Sequence, residues 1–152
     1  MPTSCGILLF RRRPTGIEVL LVHPGGPLWK NKDAGIWSIP KGLLHADEDL
    51  LAAACREFEE EIGFKPTGPF IPLMPVKLKS GKVVHAWGCE GDCDPGTIRS
   101  NTFKMEWPPH SGQQAEFPEI DRGDWFTVDE ASAKLSVEMM RLVEELGRVA
   151  KR

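Results

Sequence analysis

The stretch Gly42-Leu43-Leu44-His45-Ala46-Asp47-Glu48-Asp49-Leu50-Leu51-Ala52-Ala53-Ala54-Cys55-Arg56-Glu57-Phe58-Glu59-Glu60-Glu61-Ile62-Gly63-Phe64 decides how this chain is read. Leu50, Leu51, Ala54, Phe58 and Ile62 recur at helical spacing, Asp47 stands ahead of them as a cap, and Gly63 supplies a stop. Acids at the start of that helix suit the positive end of its dipole. Glu57, Glu60 and Glu61 fall at i, i+3 and i+4, which puts three carboxylates on one helix face, within reach of a common point. A solvated charged face is one reading of any acidic helix. The apolar stripe opposite favours another: a docked helix holds its carboxylates in place, and they repel one another unless something positive sits among them. Hard oxygens without His or Cys beside them select Mg2+ or Mn2+ over zinc. An ion of that kind with open water positions suits phosphate chemistry. Glu48 lies eight residues before Arg56, a little over two turns, so the two can pair, and a planar guanidinium forks well between the carboxylates it orients.

The surrounding chain sharpens that reading. It has 152 residues, 41% apolar and 27% charged, the balance of a single globular domain spanning 1–152. The total charge of −3 hides a polarised arrangement: Asp47 to Glu61 holds seven acids and one base, a local −6, against +3 for the remainder. An acidic focus in a mildly basic surround invites a cation and an anionic ligand that bridges the two. The balance offers no basic footprint, so no stable nucleic-acid partner is expected. Apolar runs such as Ile7 to Phe10 are too short to cross a bilayer, and the N-terminus lacks a leader pattern. Four cysteines in a chain of this length do not make a disulfide framework. The expectation is a soluble cytoplasmic protein with no membrane partner.

Cys5 to Phe10 and Ile17 to Val22 read as two strands around a turn at Pro14 and Gly16. His23 to Lys32 reads as a loop, followed by a short apolar piece, Ile36 to Ile39, that Pro40 stops. Phe70 to Lys79 and Lys82 to Glu90 read as a hairpin about Ser80-Gly81. Gly91 to Gly123 reads as mostly loop with a short strand near Phe103 to Trp107, and a loop of that length is usually functional. Trp125 to Val128 is a short strand, Thr127 and Glu130 form a capping box, and a last helix runs from Ser136 to about Ala150.

Gly42, then five residues, Glu48, then seven residues, then Arg56-Glu57-Phe58-Glu59-Glu60-Glu61-Ile62-Gly63-Phe64 resembles the complete signature box of the Nudix hydrolases. Every polar and glycine position is filled, and the departures are Phe58 and Phe64 where aliphatic residues are commoner. The resemblance implies an α/β/α sandwich with a mixed β-sheet. It implies Mg2+- or Mn2+-dependent hydrolysis of a nucleoside diphosphate linked to another moiety. Glu57, Glu60 and Glu61 would be the metal ligands, with the Gly42 carbonyl completing the set and Arg56 and Glu48 in support. Many members recruit a later acid shortly before a Trp that opens a strand. Glu119, six residues before Trp125, matches that placement, and Glu116 is the second candidate.

Trp37-Ser38-Ile39-Pro40-Lys41-Gly42 is similar to the Pro-Lys-Gly lead-in of members that act on dinucleoside polyphosphates and diphosphoinositol polyphosphates, in which Lys41 would meet a phosphate. The chain has no Tyr to stack a base, so Trp87, Phe103 or Trp107 is the candidate platform, with His85 and Lys82 beside the cleft. For each Trp the alternative is core packing, and for His85 it is a neutral surface histidine. The ranked substrates are dinucleoside polyphosphates, then nucleoside triphosphates, then the triphosphate end of RNA. Two readings lie outside catalysis on nucleotides. His85, Cys89, Cys93 and His110 invite a zinc site, which an isolated Cys-x3-Cys pair does not support. A catalytically silent Nudix fold that only binds nucleotides would be expected to have lost box carboxylates, and this chain keeps them all.

Overall fold

Ser4 to Phe10 is buried without interruption, so the first strand must be covered on both faces. Side chains alternate across a strand. Cys5, Ile7 and Leu9 enter one hydrophobic core and Leu8 and Phe10 the other. The structure is a computed structural model and describes residues 2–150; Met1, Lys151 and Arg152, the ends of the expected domain span, lie outside the described residues.

In chain order the elements are β1 (Thr3–Arg13), β2 (Gly16–Pro24), β3 (Lys41–Leu43), α1 (Leu50–Ile62), β4 (Phe70–Pro72), β5 (Val76–Lys77), β6 (Val83–Glu90), β7 (Thr102–Glu106), β8 (Gln114–Pro118), β9 (Ile120–Thr127), α2 (Val128–Lys134) and α3 (Val137–Val149). The main sheet has the order β4-β6-β1-β2-β9, with β3 beside β1 and β5 beside β6. It is mixed, because β1 and β6 run parallel and the other pairs antiparallel. Ala53, Ala54, Phe58 and Ile62 of α1 pack on one face, while Ala131 of α2 and Leu142, Val143 and Leu146 of α3 pack on the other. The result is the expected α/β/α sandwich.

One irregularity positions everything that follows. β1 and β2 pair only from Phe10↔Val19 to Arg13↔Gly16 and then part. Residues 38–43 enter the gap: Ser38 exchanges main-chain hydrogen bonds with Val22 at 2.8 and 3.0 Å, Ile7 N–H donates to Pro40 O at 3.2 Å, and Ser4 to Gly6 pair with β3. Gly6 is required there, since a Cβ would stand 2.6 Å from Pro40 O and 2.7 Å from Lys41 Cβ. Lys41 and Gly42 are thereby set into the sheet beside α1.

Three local expectations need correction. The cap of α1 is Asp49, whose carboxylate accepts from Ala52 N–H at 3.1 Å, and not Asp47, whose φ of 62° places it in the left-handed region. Glu48 turns back to accept from His45 N–H, so the helix starts after the three acids and its first turn holds none. The Phe70 to Lys79 strand is broken into β4 and β5 because Pro72 and Pro75 lack N–H donors. Gly91 to Gly123 is far less a loop than expected. β7 and β8 form a separate hairpin, and β9 begins at Ile120, five residues early, because Asp121, Arg122 and Asp124 break the apolar alternation on what is an edge strand. The capping box at Thr127 and Glu130 and the Ser136 cap of α3 match expectation.

Candidate active site

Arg56 organises the acidic face of α1. Its Nε donates to Glu48 Oε2 at 2.8 Å and its Nη2 to Glu48 Oε1 at 3.0 Å, a two-pronged pair. Nη1 donates to Glu57 Oε2 at 2.7 Å and to Glu60 Oε2 at 3.1 Å, and Nη2 also reaches the Leu43 carbonyl at 3.1 Å. The guanidinium beside Glu48 holds that carboxyl down at about 2. Its hydrogen bonds to Glu48, Glu57 and Glu60 push the Arg56 pKa up, so it is a permanent charge. The arrangement ties the loop Leu43 to Asp49 to two carboxylates one and four residues further along the helix. Gly42 completes the packing: a Cβ there would overlap the Glu57 carboxylate, so only glycine lets the two approach.

Glu61 behaves differently from its neighbours. It is 7% exposed, turned toward the sheet beside Lys41, whereas the Glu60 side chain is 39% exposed. Burial, reinforced by Glu57 and Glu119 and opposed by Lys41, pushes the Glu61 carboxyl up to about 8. Burial and the nearby Lys82 push Lys41 down, with Glu61 and Glu57 opposing. Among the described residues no three His, Cys, Asp or Glu side chains close on one point: Arg56 draws Glu57 and Glu60 together, and Glu61 is turned away beside Lys41. The i, i+3, i+4 placement keeps the three on one side of α1 all the same.

Glu61 and Lys41 line a cleft of about 400 Å³, together with Val22, Pro24, Trp29, Ile36, Ser38 and Ile120. Next to Ile120 of that lining stands Glu119, itself an exposed residue. The backbone is clamped on both sides of that residue, with Gly25 N–H donating to Glu119 O at 2.8 Å and Glu119 N–H to Asn101 O at 2.9 Å. Asn101 N–H in turn donates to the Glu60 carbonyl at 3.1 Å, which links this corner to the end of α1. Burial, with Glu57 and then Glu60 adding to it, raises the Glu119 carboxyl. Glu116 faces elsewhere, as an exposed residue on β8 whose carboxylate accepts from Thr102 Oγ1. Glu119 thus stands near enough to Glu57 and Glu60 for their charges to raise its carboxyl, while Glu116 is engaged with Thr102 on the hairpin.

The aromatic candidates fare unevenly. Trp87 is half-buried against the α1-side core, with His85 two residues before it on β6, and neither lines the cleft. Trp107 lies at the end of β7, where its N–H donates to Gln113 O. Phe103 packs on Gly26. The aromatic residue that does line the cleft is Trp29, 39% exposed, which sequence reasoning passed over inside a Gly- and Pro-rich loop. Its signal was its place in that loop between β2 and Lys41. His85, Cys89, Cys93 and His110 do not assemble into a metal set among the described residues. Burial raises the thiols of Cys89 and Cys93 alike.

Residues 2–146 match the family model of the NUDIX domain. The RNA pyrophosphohydrolase of Gluconacetobacter diazotrophicus is 31% identical over 111 residues, covering 66% of this chain and 60% of that protein. The octanoyltransferase of Myxococcus xanthus is 27% identical over 135 residues, 89% of this chain and 30% of that protein. The chain thus spans less than two thirds of either relative. Among solved structures, a binary complex of the C. elegans Ap4A hydrolase superposes with a TM-score of 0.68 at 19% identity, covering 97% of both chains, a likeness of fold. Among the described residues no helix is long and apolar enough to cross a membrane.

Proposed function

We propose, from the premise that this chain belongs to the NUDIX domain family, that it hydrolyses a phosphoanhydride bond in a nucleoside diphosphate linked to another moiety, a dinucleoside polyphosphate before all others. The observation that carries this reading is the Arg56 fork, which ties Glu57 and Glu60 together on the same helix whose Glu61 lines a cleft with Lys41.

The donor set suits a hard divalent cation. It is oxygen only, and it is crowded enough that Glu57 and Glu119 add to burial in raising Glu61. Glu57, Glu60 and Glu61, with the Gly42 carbonyl, would hold Mg2+ or Mn2+, which when bound draws charge off phosphate oxygens and lowers the pKa of a water. The protein's own groups do the rest. Lys41 Nζ meets a phosphate oxygen of the substrate. The Glu119 carboxylate takes the proton from the attacking water. Arg56 and Glu48 hold the carboxylates in place without touching substrate, and the apolar cleft walls keep bulk water from the phosphates.

A second reading, removal of pyrophosphate from a nucleoside triphosphate or from a triphosphate end, is favoured by the relative named RNA pyrophosphohydrolase. One panel decides between them: phosphate and nucleotide release from dinucleoside polyphosphates, nucleoside triphosphates and triphosphate-ended RNA, with Mg2+ and with Mn2+. The expected result is fastest turnover of a dinucleoside polyphosphate, lost in Glu60→Gln and Glu61→Gln. Turnover of none of these compounds would leave a nucleotide-binding module instead.

A further inference from the structure

Two walls of the cleft are tied together by one buried histidine. Pro24, Trp29, Gly35 and Ile36 reach the cleft from the end of β2 and the loop after it, and Ile120 reaches it from β9. His23 joins those two elements and has no exposed surface. Its Nε2 is 2.6 Å from Lys32 O and its Nδ1 is 2.9 Å from Asp121 Oδ1. Its ring meets the Trp37 indole edge-on, with centroids 5.2 Å apart. A main-chain carbonyl only accepts, so Nε2 carries a hydrogen. Nδ1 and the Asp121 carboxylate then share a second proton, and the ring holds the loop with one nitrogen and the strand with the other.

The register of β9 explains why Asp121 is available. His23 pairs with Arg122 and Pro24 with Ile120, which leaves Asp121 opposite no residue of β2. An extra residue of this kind bends its strand and re-aims its side chain. Here the side chain goes to His23, and the residues just before it are Ile120, in the cleft lining, and Glu119. The backbone of this corner is tight. Gly25 N–H donates to Glu119 O at 2.8 Å, and a Cβ on Gly25 would stand 2.0 Å from Pro118 O. Ile120 N–H donates to Ser100 Oγ at 3.1 Å. The other charged groups around the ring have partners of their own. Arg122 lies 5.3 Å from the centroid of the Trp37 ring and 3.9 Å from Asp121 Oδ1, while Asp33 accepts from Trp37 Nε1 at 2.6 Å and from Lys134 Nζ at 2.8 Å. An apolar side chain of similar size would fill the place of His23 without the desolvation cost of a polar pair, but it would not fix the loop and the strand in one direction.

We propose that His23 and Asp121 are positioning residues that act through Glu119: the pair holds the bulge of β9 against the loop after β2, and so sets where the Glu119 carboxylate stands. This rests on the hydrolytic reading of the same site. The test combines kinetics on diadenosine tetraphosphate with Mg2+ and hydrogen exchange at the Gly25 amide, which needs no turnover. Asp121→Ala should lower kcat by about 10- to 100-fold, the scale of a lost supporting contact or a misplaced group, with KM little changed and faster exchange at Gly25. His23→Phe fills the space without either hydrogen bond and should match it. Asp121→Asn, whose amide N–H can donate to Nδ1 of a neutral ring, should recover most of the rate and of the protection at Gly25. In a Glu119→Gln background, Asp121→Ala should cost no more than about twofold further, because the two changes act on one group. An equal loss in both backgrounds is a general weakening of the fold and overturns the proposal. So does an Asp121→Ala or His23→Phe rate equal to the parent's, or an Asp121→Asn rate as low as that of Asp121→Ala. If no nucleotide is cleaved, yet Gly25 exchanges faster in Asp121→Ala and not in Asp121→Asn, the hydrolytic reading fails and the placement of Glu119 by the pair stands; normal turnover that is indifferent to Asp121 gives the reverse.

Discussion

Glu48 and Arg56 meet through both oxygens of one and two nitrogens of the other, at 2.8 and 3.0 Å, across a loop that the helix itself does not include. This pair anchors the acidic face: the same guanidinium reaches Glu57 and Glu60, so the loop, the helix and two carboxylates move as a unit.

The pair sets a pH dependence of stability. The Glu48 carboxyl is held down at about 2 from an ordinary 4.5, chiefly by its hydrogen bond to Arg56. A depressed carboxyl stabilises the fold fully above its unfolded value and loses that contribution as pH falls through its folded one. Denaturant unfolding of the parent and Glu48→Gln should therefore show a gap that is constant above about pH 5 and closes as the pH drops from 4.5 toward 2. A gap that does not change with pH would contradict the pairing.

Arg56→Lys keeps the charge and loses the fork. A supporting residue of this kind is worth about 10- to 100-fold in activity or metal affinity. The loss should appear in kcat and in the Mg2+ concentration needed for half-maximal rate, with the substrate KM little changed.

Gly42→Ala places a methyl group where the Glu57 carboxylate lies. The predicted outcome is a folded protein by near-UV circular dichroism with at least about tenfold less activity, since displaced groups near the chemistry are costly. Activity equal to the parent's would mean that the Glu57 position is unimportant.

Glu119→Gln should slow turnover by about 10²- to 10⁴-fold, the usual worth of a general base. Glu116→Gln, which loses only its partner Thr102, should leave the rate near the parent's. Measuring both in one assay separates the corner beside α1 from the hairpin. Equal effects would remove Glu119 from its role.

Much of this was legible in the chain because it is written locally. Glu57, Glu60 and Glu61 lie on consecutive turns, Gly63 ends the helix with a φ of 101°, and Thr127 and Glu130 close a capping box within four residues. What escaped depends on partners distant in sequence. Asp47 looks like a cap until Arg56 pulls Glu48 back and moves the start of the helix to Asp49. β9 reads as a polar loop because its pairing partner, β2, is about a hundred residues earlier, and His23, Pro24 and Ile120 meet only through an irregular register. Trp29 reads as loop composition because the cleft that gives it meaning is assembled from β2, β3, α1 and β9. Trp87 drew attention by its place on a strand, where burial against the core accounts for it.

The most direct measurement is product analysis of diadenosine tetraphosphate incubated with the parent protein and Mg2+, run beside Glu61→Gln and Glu59→Gln. Glu61 is buried beside Lys41, whereas Glu59 is exposed on the far side of α1. Mononucleotides should appear with the parent and with Glu59→Gln, while Glu61→Gln should fall by roughly a hundredfold or more, the scale of several kcal/mol of lost transition-state stabilisation. Products that form equally well with all three proteins, or with none, would contradict a carboxylate-based hydrolytic site on α1.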